Sequence, residues 1–420
     1  MDLVDLGRAK QMPSSRSAGV ILTAPVLPVD VVSMAVALED SGQLERLVTR
    51  WCFTSSELAW ARKLGVGESW LGRQPSPVGR NRLRRLPGAD IRTYFGPWLD
   101  HDGFESLDKS FQMVDEVAAT LLKAETAAII GREDACLNCF RRAEELNVPR
   151  IYQLPTAHPR TVRTLLTRER DLFPEAFNGG DLEADFAPAR IQRKEAEVGS
   201  ATHILCPSSF VAKSLRDAGV KEARVSVLPL GPDIGFASNC VAKRDPVFLY
   251  AGSISARKGV HRLIRIWKEL GAYRTHQLRL IGDLRLPESF VADHRQIFEH
   301  IPRLPRAALA LQYLKAQAFV FNAIADGFGH VFAEAMSCGT AVLASRNSGA
   351  PDLIKDGEEG WLFEYGDDEA LAKAVDRALC CPQQLLRMGK RGRRRALGWT
   401  SKDFARGFLK WITPIIGKAR

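Results

Sequence analysis

The sequence predicts an α/β protein of two doubly wound domains that face each other across a cleft. Three observations carry that expectation. Strand-like apolar runs alternate with stretches of helical periodicity along the whole chain, which is the sign of parallel sheets with crossover helices. The rhythm breaks at residues 227–246, VLPLGPDIGFASNCVAKRDP, where prolines and glycines cluster as they do in linkers. Finally, 420 residues with 45% apolar side chains are enough to fill two to three domains at about 100–200 residues each.

The first half opens with a short buried strand, Gly19–Ala24, then a loop, then a helix from about Val31 to Ser41. Residues 18–38 follow Arg8, Lys10 and Arg16 and imitate a signal peptide, but Pro25, Pro28 and Asp30 interrupt the apolar run. Ala127–Ile130, Arg150–Leu154 and His203–Pro207 are the next strands, each beside a helical stretch. Residues 75–103 are rich in Pro, Gly and Arg without a clean period, which predicts a long surface excursion.

After the break the alternation sharpens. VFLYAG (247–252), LRLIGD (278–283), AFVFNA (318–323) and AVLAS (341–345) read as buried strands. Helices are expected from Val260, from AALALQYLKA (307–316), from His330 to the αL glycine Gly339, and over Asp367–Leu379 with acidic residues in its first turn. Trp399–Ile416 reads as a final helix.

Composition narrows the function classes. Lys plus Arg number 59 against 49 Asp plus Glu, and the surplus of +10 favours anionic partners. No aromatic-interleaved basic stripe accompanies it, so nucleic acid is not expected as a partner. No run reaches the roughly 18 apolar residues of a membrane span. Of the eight cysteines, Cys136 and Cys139 form one C-x-x-C without the second ligand pair that zinc needs; reduced thiols and a cytoplasmic location are expected.

Two loops in the second half could carry chemistry. SISARKG sets Arg257, Lys258 and Gly259 between a buried strand and the first turn of a helix, where backbone donors, helix dipole and cations converge on an anion. The plain alternative is a basic surface loop. In DGFGHVFAEAMSCGT, Gly327 and Gly329 let the main chain approach a ligand, and the helix starting near His330 offers free amides. Asp326 and Glu334 could both face the cleft and accept bonds from hydroxyl groups. Alternatively, Asp326 caps the helix and Glu334 is a solvated helical residue.

AGSISARKGVHRLI, FVFNAIADGFGHVFAEAMSCGTAVLAS, SGAPDLI and DGEEGWLFEYGDDEALAKAV, in that order, resemble the donor half of glycosyltransferase family 4, with the GT-B fold. LPTAHPR, RKEAEVGSATHILCPSSFVAKSL and the VLPLG exit are similar, more faintly, to its acceptor half, while residues 50–110 match nothing. The resemblance implies Rossmann-like domains at 1–232 (acceptor side) and 233–398 (nucleotide sugar), with 399–420 returning to the first. It implies transfer of a sugar from a nucleotide diphosphate to a saccharide or lipid-linked acceptor, with retention and with no metal or other cofactor.

By the same resemblance, Lys258 matches a phosphate-binding lysine. Ser253 stands where the family usually has an arginine, which leaves Arg257 to supply that charge. Asp326 and Glu334 match the paired glutamates of E-x7-E, with Asp326 against the donor sugar and Glu334 on the ribose. Gly327, Phe328, Gly329, His330 and Val331 match the backbone that lines diphosphate and sugar, and His158 matches a histidine near the transferred sugar. The catalytic group expected is therefore His158, Lys258 and Asp326.

Other features take plainer readings. Asp100-His101-Asp102 is literally D-x-D but reads as a polar turn ended by Gly103. Arg80, Arg82, Arg84 and Arg85, with Lys390, Arg391, Arg393, Arg394 and Arg395, are basic clusters that are ordinarily solvated and that also suit peripheral contact with acidic lipid at the inner membrane face. An inactive GT-B scaffold acting as a binding protein, or an epimerase or phosphorylase on that fold, are the rival readings.

Overall fold

The computed structural model describes residues 19–63, 76–91, 104–179, 182, 186–232 and 244–417. Among them lie two sheets. The first has seven strands in the order β3-β2-β1-β4-β5-β6-β7: β1 (Val20–Thr23), β2 (Leu44–Thr49), β3 (Leu83–Arg85), β4 (Ala128–Arg132), β5 (Arg150–Gln153), β6 (His203–Cys206) and β7 (Val225–Val227). The second has six in the order β10-β9-β8-β11-β12-β13: β8 (Asp245–Ala251), β9 (Gln277–Ile281), β10 (Glu299–Ile301), β11 (Ala316–Phe321), β12 (Ala341–Ser345) and β13 (Gly360–Phe363).

Every neighbouring pair of these strands is parallel. Parallel strands need crossovers, and helices on both faces then bury each central strand completely, as the continuous burial of AQAFVF in β11 shows. Strand order reverses between β1 and β4 and again between β8 and β11. Those switch points are where crevices open in such sheets.

The strands expected from sequence are the central ones, and each is present within a few residues. β2, β3, β7, β10 and β13 are additional. β3 and β10, three residues each, sit at sheet edges, and β2 interleaves Glu45 and Arg46 with its apolar residues. Short edge strands are defined by the neighbour they pair with more than by their own residues. The surface excursion expected over residues 75–103 therefore needs correction, because Leu83–Arg85 pairs with β2. Within it, Arg85 makes two bonds to Glu57 (2.6 and 3.0 Å), and Arg82 donates to the Leu44 carbonyl at 2.5 Å.

The helix Ser401–Gly417 lies on the helix Val29–Asp40, with Phe404, Phe408 and Ile412 buried in one cluster with Val31 and Met34. Two tryptophans tie it to the first sheet: Trp399 Nε1 donates to the Pro229 carbonyl and Trp411 Nε1 to Ser226 Oγ, both at 2.9 Å.

One buried ion cluster joins the halves. Glu169, on the helix Pro159–Leu172, is 2% exposed and accepts bonds from His261 Nε2 (2.7 Å), Arg262 Nε (2.5 Å) and Arg262 Nη2 (2.9 Å). Arg262 also reaches Asp368 at 2.6 Å and lies 4.4 Å from the centre of the Phe173 ring. Burial alone would raise the Glu169 carboxyl, but hydrogen bonds from His261 and Arg262 hold it down to about 2. Elsewhere, Ser209 N and Oγ donate to Asp352 across the same interface.

Removing one member of a buried pair strands the other charge. Glu169→Ala is expected to cost about 3–5 kcal/mol in urea denaturation; a loss under about 1 kcal/mol would show the pair to be dispensable. Because the folded-state value is depressed, the stability that Glu169 contributes is present above its ordinary value near 4.5 and is lost as pH falls towards about 2. That acid-side loss should be smaller in the variant.

Candidate functional site

The cleft is built from the loops that leave the carboxyl ends of the strands. After β8 the chain turns at Gly252 (φ 137°), and Tyr250 Oη donates to the Ser253 carbonyl at 2.8 Å. Ala256–Lys258 forms one 3-10 turn, and Gly259 (φ 71°) starts the helix Val260–Glu269. A Cβ at Gly259 would stand 2.0 Å from the Asn322 carbonyl oxygen, and Asn322 Nδ2 donates back to the Gly259 carbonyl. The Lys258 loop is thus pinned to the end of β11.

From β11 the chain enters Asp326-Gly327-Phe328-Gly329. Lys258 Nζ reaches Asp326 Oδ2 at 2.6 Å, and Asp326 Oδ1 accepts from the Phe328 amide at 3.1 Å. Burial raises the Asp326 carboxyl, yet Lys258 more than offsets this and the net shift is downward, so the residue is a carboxylate at neutral pH. Gly329 (φ 93°) begins the helix His330–Ser337, where no side chain caps the free amides. That leaves an N-terminal dipole end open to an anion.

Two cavities share this ground. One of about 280 Å³ is lined by Lys258, Asp326, Gly329 and His330 from the second half and by Asp30, Arg132 and Pro155 from the first. The other, about 520 Å³, shares Gly252, His330 and Val331 with it and extends past Ser253 to Arg303, Arg306 and Glu334. Glu334 accepts a 3.3 Å bond from Tyr313 Oη and lies 3.6 Å from Arg306.

The structure therefore brings Lys258, Asp326, Phe328, Gly329, His330 and Val331 to one cavity, and Ser253 and Glu334 to its neighbour. Gly327 is the seam between halves, since a Cβ there would lie 1.7 Å from the Pro155 carbonyl oxygen. Gly259 packs behind the loop. Arg257 diverges from Lys258 and lines a different cavity, with Glu133 and Lys194.

His158 lines neither of the two cavities. It is 4% exposed and caps its helix, Nδ1 accepting from the Arg160 amide at 3.4 Å. Burial lowers its pKa, so the ring is neutral near pH 7 and, with Nδ1 accepting, keeps its proton on Nε2.

Arg132, Arg303 and Arg306 are cleft cations that sequence reading missed. Arg132 ends β4 and is held by Asp30 (3.0 Å) and Gln153 (2.5 Å). Arg303 and Arg306 follow the three-residue β10, and only recognition of that strand would have marked RLPR as a cleft loop.

The remaining sequence features take their places. Asp100, His101 and Asp102 lie outside the described residues. Cys136 and Cys139 are buried, Cys139 Sγ donates to the Cys136 carbonyl, and burial pushes both thiols well up. Among the described residues no cluster of His, Cys, Asp and Glu suits a metal. Arg393 donates to the Ser337 carbonyl at 2.8 Å, while Lys390, Arg391, Arg394 and Arg395 are exposed.

Residues 236–395 match the family model described as "Glycosyl transferases group 1". This segment is a group 1 glycosyltransferase domain. Among relatives, the MMP alpha-(1->4)-mannosyltransferase of Mycolicibacterium hassiacum is 28% identical over 197 residues, 45% of this chain and 48% of that one. A GDP-mannose-dependent phosphatidylinositol monomannoside mannosyltransferase of Mycolicibacterium smegmatis is 28% identical over 173 residues, 36% and 43% of the respective chains. The chain thus spans about half the length, or less, of these curated relatives.

Solved structures extend the likeness to the whole architecture. Sucrose-phosphate synthase of Thermosynechococcus elongatus superposes with a TM-score of 0.67 at 18% identity, over 96% of this chain and 100% of that one. HepE of Anabaena, solved with UDP-glucose, gives 0.59 at 15% over 94% and 99%. The group 1 domain is therefore the second half of a GT-B fold.

The Gly327 seam generates a test. Gly327→Ala forces a methyl group into the Pro155 carbonyl, and the overpacking is expected to cost about 1–3 kcal/mol in thermal denaturation. A melting curve superimposable on wild type would show that the seam has room for it.

Proposed function

We propose that the protein moves a sugar from a nucleotide-diphosphate donor to a saccharide or lipid-linked acceptor, retaining the anomeric configuration and using no bound metal. One observation carries this reading: the Lys258–Asp326 pair stands at the ends of β8 and β11 beside the uncapped helix start at His330. The ammonium, the dipole and the free amides all favour a pyrophosphate there. Relatives named as mannosyltransferases, and neighbours solved with UDP and UDP-glucose, support it.

In this reading the pyrophosphate lies against Lys258 and the His330 amide end, the donor sugar against Asp326, and the ribose hydroxyls against Glu334. Ser253 carries no charge and Arg257 faces elsewhere, so Arg303 and Arg306 supply the further positive potential of the larger cavity. The bond from the anomeric carbon to the phosphate oxygen breaks as the acceptor oxygen bonds on the same face. The acceptor's proton passes to the departing phosphate oxygen. Lys258 stabilises the charge that grows on that phosphate, a role worth about 10²–10³ in rate. Closing the halves excludes water and, in this reading, brings the buried His158 ring to the donor sugar so that its Nε2–H donates to a sugar hydroxyl.

Titration with UDP, GDP and ADP, each followed by its sugars, is the first test. At least one should bind, and Lys258→Ala should lower transfer at least about a hundredfold, with wild-type transfer undiminished in excess chelator. Near-native turnover of Lys258→Ala, or no nucleotide bound at millimolar concentration, would sink the reading; an unchanged rate in His158→Ala would remove that residue from it.

The exposed basic residues Lys390, Arg391, Arg394 and Arg395 support a second part of the proposal, a cytoplasmic enzyme docked on anionic lipid. Among the described residues no helix is long and apolar enough to cross a membrane. Flotation with phosphatidylglycerol vesicles should recover the protein at low salt and release it at high salt; no recovery at low salt removes this part.

A further inference from the structure

We infer that the cavity on the first-half side of the Arg257 loop is an acceptor subsite that takes one uncharged sugar or polyol ring. The inference rests on the glycosyltransferase reading and adds the chemical class of the second substrate. The cavity measures about 260 Å³. That is below the roughly 300–1,000 Å³ of sites for drug-sized ligands and suits a single ring.

Its polar wall mixes both signs of charge. Glu133 and Asp134 follow β4, Arg190 and Lys194 project from the helix Pro188–Ser200, and Arg257 enters from the donor loop. Lys194 Nζ lies between the two carboxylates, 2.8 Å from Glu133 and 2.9 Å from Asp134. Thr156 Oγ1 donates to Glu133 at 3.1 Å, and Arg190 pairs with Asp108 at 2.8 Å. These bonds fix the groups in place before any ligand arrives.

The arrangement selects by chemistry. An anion would meet two carboxylates, a cation would meet two guanidiniums and an ammonium, and an apolar ligand would leave every one of them desolvated. A hydroxyl both donates and accepts, so a ring carrying several satisfies donors and acceptors together. Val162, Phe186 and Ile191 complete the wall with apolar surface for the C–H face of such a ring.

Position points the same way. Arg257 and Lys258 are consecutive, yet one lines this cavity and the other the donor cavity. Between the two cavities runs Pro155–Thr156, with Pro155 on the donor side and Thr156 on this one. A ring held here lies one loop away from the donor sugar, where an acceptor must be.

Saturation-transfer NMR tests this on the full chain with methyl α-glucoside, methyl α-mannoside and myo-inositol as probes, alongside calorimetric titration of UDP and GDP. At least one probe should give signal with wild type, and Ile191→Trp, which fills the cavity, should weaken it at least about tenfold while nucleotide affinity and melting temperature stay unchanged. Signal that survives Ile191→Trp, or no signal from any probe, overturns the subsite. Should Ile191→Trp not fold, a wild-type crystal soaked with the strongest probe decides: a ring between Glu133 and Arg257 supports the proposal, and a ring elsewhere or none overturns it. Nucleotides failing to bind wild type would sink the donor reading instead, and the sugar result would still decide the cavity.

Discussion

Glu169 is the buried ionic link between the two halves, set beside the Ser209–Asp352 bonds and the packing of the helix Ser401–Gly417 on the first half. It is a first-half carboxylate buried against the first turn of a second-half helix, and that same helix begins at Gly259, one residue after Lys258. An uncompensated charge at that depth is costly, so the carboxylate and its His261 and Arg262 partners have to be brought together whenever the halves close. The first consequence is positional. The turn carrying Lys258 is fixed to the first half through Glu169 and to β11 through Asn322, so its geometry is set from two directions.

A second constraint is steric. Gly327 touches the Pro155 carbonyl so closely that no side chain fits, and Pro155–Thr156 in turn separates the Lys258–Asp326 cavity from the smaller one beside Glu133. The seam and the two cavities, proposed for donor and acceptor, are therefore aspects of one contact between the ends of β5 and β11. Charge is distributed accordingly. Lys258 is committed to Asp326, Arg257 turns to the cavity beside Glu133, and arginines from separate strand ends surround the rest of the cleft.

The parallel arrangement explains why all these groups converge. In each sheet every strand points the same way, so every loop leaving a carboxyl end emerges on one edge. Asp30, Arg132 and Pro155 lie at or just past three such strand ends of the first sheet, and Gly252, Arg303 and Asp326 just past strand ends of the second. Residues more than a hundred positions apart become neighbours in this way.

The alternation of apolar runs with helical periods determined the fold class, because central parallel strands are buried on both faces and leave an unmistakable local record. The glycine-bearing loops after β8 and β11 were legible for a similar reason: Gly259 and Gly329 need left-handed backbone, and Lys258 and Asp326 stand beside them in sequence as well as in space. Tertiary structure decided the rest. Whether Arg257 joins Lys258 depends on the direction in which each side chain leaves one short turn. Arg132, Arg303 and Arg306 enter the cleft only because β4 and β10 end there, and Glu169 meets Arg262 only across an interface that ninety-odd residues of chain separate. Local residue pattern records burial and turn chemistry; it holds no record of which distant charges the packing of two sheets will place together.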